Sequence, residues 1–296
     1  MTGFRIAVRL SPESPDMSSA HEHRRLLFGI AYRMLGRVTE AEDMVQETYL
    51  RFHQHPDGSI LLPKAWLTKT ITRLCIDQLR SARRQREEYV GTWLPEPILA
   101  DNASGDLGDT LGMAFMLMLE KLSPVDRAVF LLREAFGHDY PDIAGITGKS
   151  EAACRQIVSR AKAKLGQPPA QPPTATEEAE RLVKEFLSAA RSGEISELLA
   201  LLTEDAVLYS DGGGKIRAAL LPIYGPDKIS RLFIGLRRLP SDGLPPPRFV
   251  TINGSPGVIT AYADGSVNVM SFAFEGQRVK AIYIVRNPDK LAGIRL

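Results

Sequence analysis

Apolar positions recur at helical spacing through the first third of the chain. Leu27, Ile30, Ala31, Met34 and Leu35 fall on one stripe, which predicts a helix that stops at Gly36. Thr39 and Glu42 have the spacing of a capping box, and Ala41, Val45, Thr48 and Phe52 mark the buried face of a second helix over TEAEDMVQETYLRF. Pro63 opens a third, PKAWLTKTITRLCIDQLRSARRQ, with Trp66, Leu67, Ile71, Leu74 and Ile76 able to bury. After a stretch broken by Gly91, Pro95, Pro97, Gly105 and Gly108, helical spacing returns over residues 111–165. Ser123 and Pro124 start SPVDRAVFLLREAFG. A short helix with Ile143, Ala144 and Ile146 then turns at Gly148, and Ser150 caps a longer one that buries Cys154, Ile157 or Val158, Ala161 and Leu165.

The period changes beyond the proline-rich linker GQPPAQPPTATEE. Two helices, near 177–191 and 194–202, precede the strand AVLYS, a glycine turn, a second strand KIRAAL and the helix DKISRLFIGLRRL. RFVTI, GVITAYA, VNVMSFAF and VKAIYIV then read as strands, and Asn287 with Pro288 begins a terminal helix or turn. This is an α+β layout behind two all-α blocks.

With 296 residues, 44% of them hydrophobic, the chain has material for two or three cores. A net charge of +2 gives no global pull toward nucleic acid, so a binding surface must come from local clusters. Such clusters exist. Lys64, Lys69, Arg73, Arg80, Arg83, Arg84 and Arg86 crowd the third helix against Asp77, Glu87 and Glu88, whereas 87–109 holds six acidic residues and no Lys or Arg. Within that acidic stretch YVGTWLPEP is too apolar for a spacer and is expected to pack on a neighbouring domain. The helix from Ser150 turns Arg155, Gln156, Ser159, Arg160 and Lys162 outward, as a DNA-reading helix-turn-helix would. Taken alone, both basic faces are equally compatible with solvated helix surfaces. Cys75 and Cys154 sit apart on helices and suit a reducing cytoplasm; no segment has the length of an apolar membrane span, and no metal or cofactor set stands out.

AEDMVQETYLRF, PKAWLTKTITRLCIDQLRSARR and the downstream helix-turn-helix block together resemble a bacterial RNA polymerase sigma factor of the extracytoplasmic-function type. WLPEP at 93–97, DGGGK at 211–215 and NPDKL at 287–291 resemble the subgroup carrying a C-terminal SnoaL-like domain of NTF2 fold. The resemblance implies a tail over 1–20, sigma domain 2 over 21–88, an acidic linker over 89–110 and sigma domain 4 over 111–166. A proline-rich linker over 167–176 then leads to a SnoaL-like regulatory cone over 177–296.

It also implies roles. Asp43, Gln46 and Glu47 would dock on the polymerase β′ clamp, and Lys69, Arg73, Arg80, Arg83 and Arg84 would bind the minus-ten promoter element. Arg73 stands where Asn is common in the family, and Trp66 is read as core rather than as a stacking platform. Arg155, Gln156, Ser159, Arg160 and Lys162 would serve the minus-thirty-five element.

DGGGK is not a phosphate loop, because Ile216 follows Lys215 and the required spacing is absent. It is expected to be an exposed turn pressed against a partner surface. In the subgroup the regulatory contact between the extra domain and the sigma core involves Trp93, Leu94, Pro95, Asp211, Gly212, Gly213, Gly214, Lys215, Asn287, Pro288, Asp289, Lys290 and Leu291. Charge reversal at Lys215 or Asp289 is therefore expected to alter transcription without unfolding. NTF2-like cones can hold a small ligand, but His21, His23, His53, His55 and His138 all lie outside this domain, and Tyr209, Asp211, Tyr262 and Asp264 form no obvious proton-transfer pair. The chain therefore reads as a non-enzymatic cytoplasmic transcription factor. The competing reading is an NTF2-type enzyme or sensor joined to an ordinary helix-turn-helix regulator.

Overall fold

The structure is a computed structural model that describes residues 23–55, 60–87, 89–99, 112–166, 176–236, 244–262 and 264–294, and not the side chains of 82–87 and 176. The expected N-terminal tail, the side chains of Arg83 and Arg84, residues 100–110 of the acidic linker and most of the proline-rich linker lie outside these residues.

Helices α1 (Arg24–Leu35), α2 (Val38–His53) and α3 (Pro63–Glu87) pack around Leu27, Ile30, Met34, Val45, Leu67 and Ile71, all essentially inaccessible to water. Gly36 ends α1 at φ 73°, a left-handed cap that a side chain would resist. Thr39 is not a cap. Helix α2 begins one residue before it, and the carboxylate of Glu96 accepts from the Val38 amide at 3.1 Å. A residue 58 positions away thus supplies what the capping box was expected to supply.

Helices α4 (Met113–Leu119), α5 (Pro124–Glu134), α6 (Tyr140–Thr147) and α7 (Glu151–Leu165) form the second block. Ser123 and Ser150 accept from the Asp126 and Ala153 amides, and Gly148 ends α6 at φ 69°. Val129, Leu132, Ile143, Cys154, Ile157 and Val158 make its local core. Met116, Leu119, Leu122, Ala128, Phe130, Leu131, Ala161 and Leu165 instead join the α1–α3 core, so the two blocks share one apolar interior.

The third part holds α8 (Thr176–Ser192), α9 (Ile195–Leu201), β1 (Leu202–Asp211), β2 (Ile223–Tyr224), α10 (Pro226–Leu236), β3 (Arg248–Ile252), β4 (Ser255–Ala261), β5 (Val267–Glu275), β6 (Arg278–Val285) and α11 (Pro288–Leu291). The sheet order is β2-β1-β6-β5-β4-β3, antiparallel except for the parallel pair β1·β6. KIRAAL is not a strand: after a turn at 213–215, residues 216–222 run as bends and irregular chain, and β2 is the two residues after them. One sheet face packs on α8, α9 and α10, where Phe186 meets Phe233 and Phe272 edge-on at 4.9 and 5.6 Å. The opposite face carries Ile252, Ile259, Val269, Tyr283 and Val285. It is covered by Leu94 and Leu99 of the interdomain segment, Met113 of α4, and Leu291 and Ile294.

Candidate functional site

Segment 89–99 is wedged between the first helical block and the sheet. Its centre is a charge pair buried to within 1% exposure on both sides, with Lys290 Nζ 2.7 Å from Asp211 Oδ2. Oδ2 also accepts from the Leu94 amide at 2.8 Å, while Oδ1 accepts from the Tyr89 hydroxyl at 2.5 Å and the Gly213 amide at 3.0 Å. Four donors therefore fill the carboxylate's lone-pair sites, the condition under which a buried charge is tolerated. Lys290 also donates to the Leu94 carbonyl and lies 4.2 Å from the Trp93 ring and 5.2 Å from the Tyr89 ring. Burial, and then the hydrogen bond to Asp211 and its charge, push the Tyr89 phenol above its ordinary pKa.

The glycines of DGGGK have separate uses. A Cβ on Gly212 would fall 2.1 Å from the Ile216 carbonyl, and one on Gly213 would fall 2.4 Å from the Asn287 amide group. Gly213 and Gly214 take φ of 63° and 71°. Asp211 is not part of an exposed turn but the buried end of β1; Lys215, at the other end of the motif, is exposed and pairs with Asp289 at 2.7 Å. Asn287 caps α11 through the Asp289 amide and donates to the Tyr89 hydroxyl at 2.9 Å.

The other side of the wedge grips α1 and α2. Trp93 lies over Gly36, where an added Cβ would be 2.3 Å from the indole. The Glu96 amide donates to the Gly36 carbonyl at 2.9 Å, and the Tyr32 hydroxyl donates to the Glu96 carbonyl at 2.6 Å. Asn253, a non-glycine residue at φ 49°, closes the circuit. Its Nδ2 donates to the Tyr32 hydroxyl at 2.7 Å, its Oδ1 accepts from the Ile98 amide at 3.0 Å, and its own amide donates to the Ile98 carbonyl at 2.9 Å. Burial raises the Glu96 carboxyl pKa, against the opposing pull of the Val38 amide, Arg37 and Lys290.

On the outer faces, Asp43 and Gln46 of α2 are exposed, and Glu47 is half-buried and paired with Arg51 at 2.8 Å. Between α2 and α3 lies a recess of about 680 Å³ lined by Arg51, Gln54, His55, Trp66, Lys69, Thr70 and Arg73. Trp66 is half-buried, edge-on to Phe52 at 5.7 Å and to His55 at 5.0 Å, so one part of the ring packs while another borders the recess. Arg80 pairs with Asp77 away from this lining. On α7, Gln156, Ser159 and Arg160 are exposed, Arg155 pairs with Glu151 and stacks on Tyr140, and Lys162 pairs with Glu134.

Residues 20–85 match sigma-70 region 2, and residues 112–165 match sigma-70 region 4. The chain is 33% identical to the ECF RNA polymerase sigma factor SigJ of Mycobacterium tuberculosis, with 94% of each chain covered. It belongs to the extracytoplasmic-function sigma factors. The crystal structure of that SigJ superposes with a TM-score of 0.76 at 30% identity, over 95% of this chain and 99% of the other. A probable ECF sigma factor of the same organism, SigI, is 28% identical over 97% of this chain and 98% of its own. An NTF2-like protein from Burkholderia xenovorans is similar over 40% of this chain and 96% of its own, at 21% identity and a TM-score of 0.32.

In this sigma factor the structure brings WLPEP, DGGGK and NPDKL to one place. It keeps the outward residues of α2, α3 and α7 on separate surfaces. Sequence reading missed Tyr32, Gly36 and Asn253, and gave Tyr89, at the head of the stretch expected to pack on a neighbouring domain, no role of its own; these residues complete the wedge. Gly36 reads as a helix stop and Tyr32 lies on a core helix, so neither carries a signal of contact with another domain.

Proposed function

We propose that this sigma factor directs core RNA polymerase to its promoters in the cytoplasm and that the C-terminal domain restrains it by holding segment 89–99. The supporting observation is the Asp211 carboxylate, whose four acceptor sites are filled partly from the segment and partly from its own domain. Asp43, Gln46 and Glu47 would meet the polymerase clamp. Lys69 and Arg73, at the recess, together with Arg80, Arg83 and Arg84, would hold the minus-ten element, with phosphates met by the basic side chains and an unstacked base beside Trp66. Arg155, Gln156, Ser159, Arg160 and Lys162 would face the minus-thirty-five element, once Arg155 and Lys162 exchange their acidic partners for DNA.

The test is promoter-directed transcription by purified core polymerase, run beside DNA binding by the full chain alone. A polymerase-dependent transcript with weak binding by the free chain supports the reading. Tight, salt-sensitive operator binding without polymerase and no transcript would instead favour an ordinary helix-turn-helix regulator.

A further inference from the structure

A second cavity, of about 670 Å³, lies between the start of α3, one side of α6 and His23 at the head of α1. Leu62 and Ala65 on one side and Pro141 and Ile146 on the other give it apolar walls. Its charged groups are Lys64 and Lys69 against Asp142, an excess of positive charge. Among the described residues neither lysine forms an ion pair, in contrast to Arg80 further along α3, which pairs with Asp77. The N-terminus of α3 is open here as well. Leu62, which precedes the helix, has no side-chain acceptor to offer, unlike Ser123 and Ser150 at the heads of α5 and α7. The first helical bond runs from the Trp66 amide to the Leu62 carbonyl at 3.1 Å. The Lys64 and Ala65 amides precede it, so they have no intrahelical acceptor and carry the positive end of a 25-residue helix. Thr68 is an independent sign. Thr48, Thr72 and Thr147 each donate to the carbonyl four residues back at 2.7 Å. Thr68, only 1% exposed and part of the cavity lining, leaves its Oγ1 without a hydrogen-bond partner, an unfavourable state for a buried hydroxyl.

We propose that this cavity is a binding site for a small organic anion with an apolar body, of which a medium-chain carboxylate is the simplest example. The acid group meets Lys64, the open amides of α3 and the Thr68 hydroxyl, and the chain lies along Leu62, Pro141 and Ile146. Duplex DNA would suit the lysines but not the walls, because a sugar-phosphate backbone has no apolar part to cover them. Occupancy of the site needs neither polymerase nor promoter. His138, also in the lining, reports on it. Burial lowers its pKa; Asp142 and Asp139 act to raise it, and Lys64 to lower it further. An anion seated beside the ring favours its protonated form. Binding should therefore raise the His138 pKa and tighten as pH falls through the histidine range, where a carboxylate is still ionised.

The test is octanoate binding to the full chain by calorimetry, with the His138 ring followed by NMR. Octanol and inorganic phosphate serve as controls, since each carries one half of the ligand's chemistry. Octanoate should bind about tenfold more tightly than either and raise the His138 pKa. Lys64→Met should weaken octanoate binding about tenfold, the loss expected for one charged hydrogen bond. Thr68→Val keeps the shape without the hydroxyl and should weaken binding severalfold while leaving the unfolding transition in place or raising it; a hydroxyl that the fold itself required would lower that transition. Octanol or phosphate binding as tightly as octanoate would overturn the proposal, as would octanoate binding that neither substitution changes. A His138 pKa unmoved at saturation would place the ligand elsewhere and overturn it too. A short DNA duplex that shifts His138 and that octanoate cannot displace would give the site to nucleic acid instead.

Discussion

The DGGGK and NPDKL motifs are joined by two ion pairs with the same separation, 2.7 Å, and very different surroundings. Asp211–Lys290 is sealed from water, with each charge surrounded by segment 89–99. Lys215–Asp289 is about half exposed. Removing one partner of a buried pair strands the other charge, at a cost of about 3–5 kcal/mol, whereas an exposed pair contributes about 0–1 kcal/mol and is screened by salt. The charges most visible as a surface contact are therefore the less consequential ones. The charge reversals expected to alter transcription, at Lys215 and Asp289, address the weaker of the two pairs; Asp211 and Lys290 form the stronger.

The largest effect should come from Lys290→Met, which leaves Asp211 charged and buried. We expect it to destabilise the C-terminal domain and its hold on segment 89–99 by about 3–5 kcal/mol in denaturant unfolding. A double variant, Lys290→Met with Asp211→Leu, should lose less than the sum of the singles; simple additivity would mean that the pair is not coupled. Gly36→Ala comes next. It places a Cβ against the Trp93 indole at φ 73°, and a loss of about 2 kcal/mol is expected, read as faster proteolytic cleavage within 89–111 while α1–α3 keep their helical signal.

Glu96 offers a pH test. Its carboxyl pKa is raised in the folded protein, so the stability this group contributes is fully present below the unfolded carboxyl value and is lost as pH rises through the folded one. Segment docking should weaken with rising pH across that interval, and Glu96→Gln should flatten the dependence. A variant whose pH profile matched wild type would assign the dependence to another group. The smallest effect is expected for Lys215→Glu, about 0.5 kcal/mol and diminishing in high salt; a loss as large as that of Lys290→Met would erase the distinction between the two pairs.

Much of the fold is legible from local chemistry. Ser123 and Ser150 cap helices where the sequence places them, Gly36 and Gly148 end them, and the four long strands from Arg248 onward alternate between the two faces of the sheet. What escaped depends on partners far along the chain. Residues 216–222 have a strand-like composition but run as bends and irregular chain, with Leu220 lying over Gly91 and β1 pairing in parallel with β6. The cap of α2 comes from Glu96 rather than Thr39, because the segment folds back over Gly36. Asn253 and Gly254 form a turn, yet nothing local indicates that the Asn253 amide group joins Tyr32 to Ile98. Asp211, at the head of a glycine run, reads as solvent-facing until the donors from 89 and 94 are placed around it.

Restraint of the sigma factor by the held segment is tested most directly by loosening the segment from its own side. Tyr89→Phe with Trp93→Ala removes the hydroxyl from Asp211 and the indole from Lys290 and Gly36 without changing a residue of the C-terminal domain. Promoter-directed transcription by purified core polymerase should rise severalfold over wild type, with the unfolding transition of the C-terminal domain retained. Unchanged or lower transcription, in a variant whose segment has become open to protease, would contradict the account.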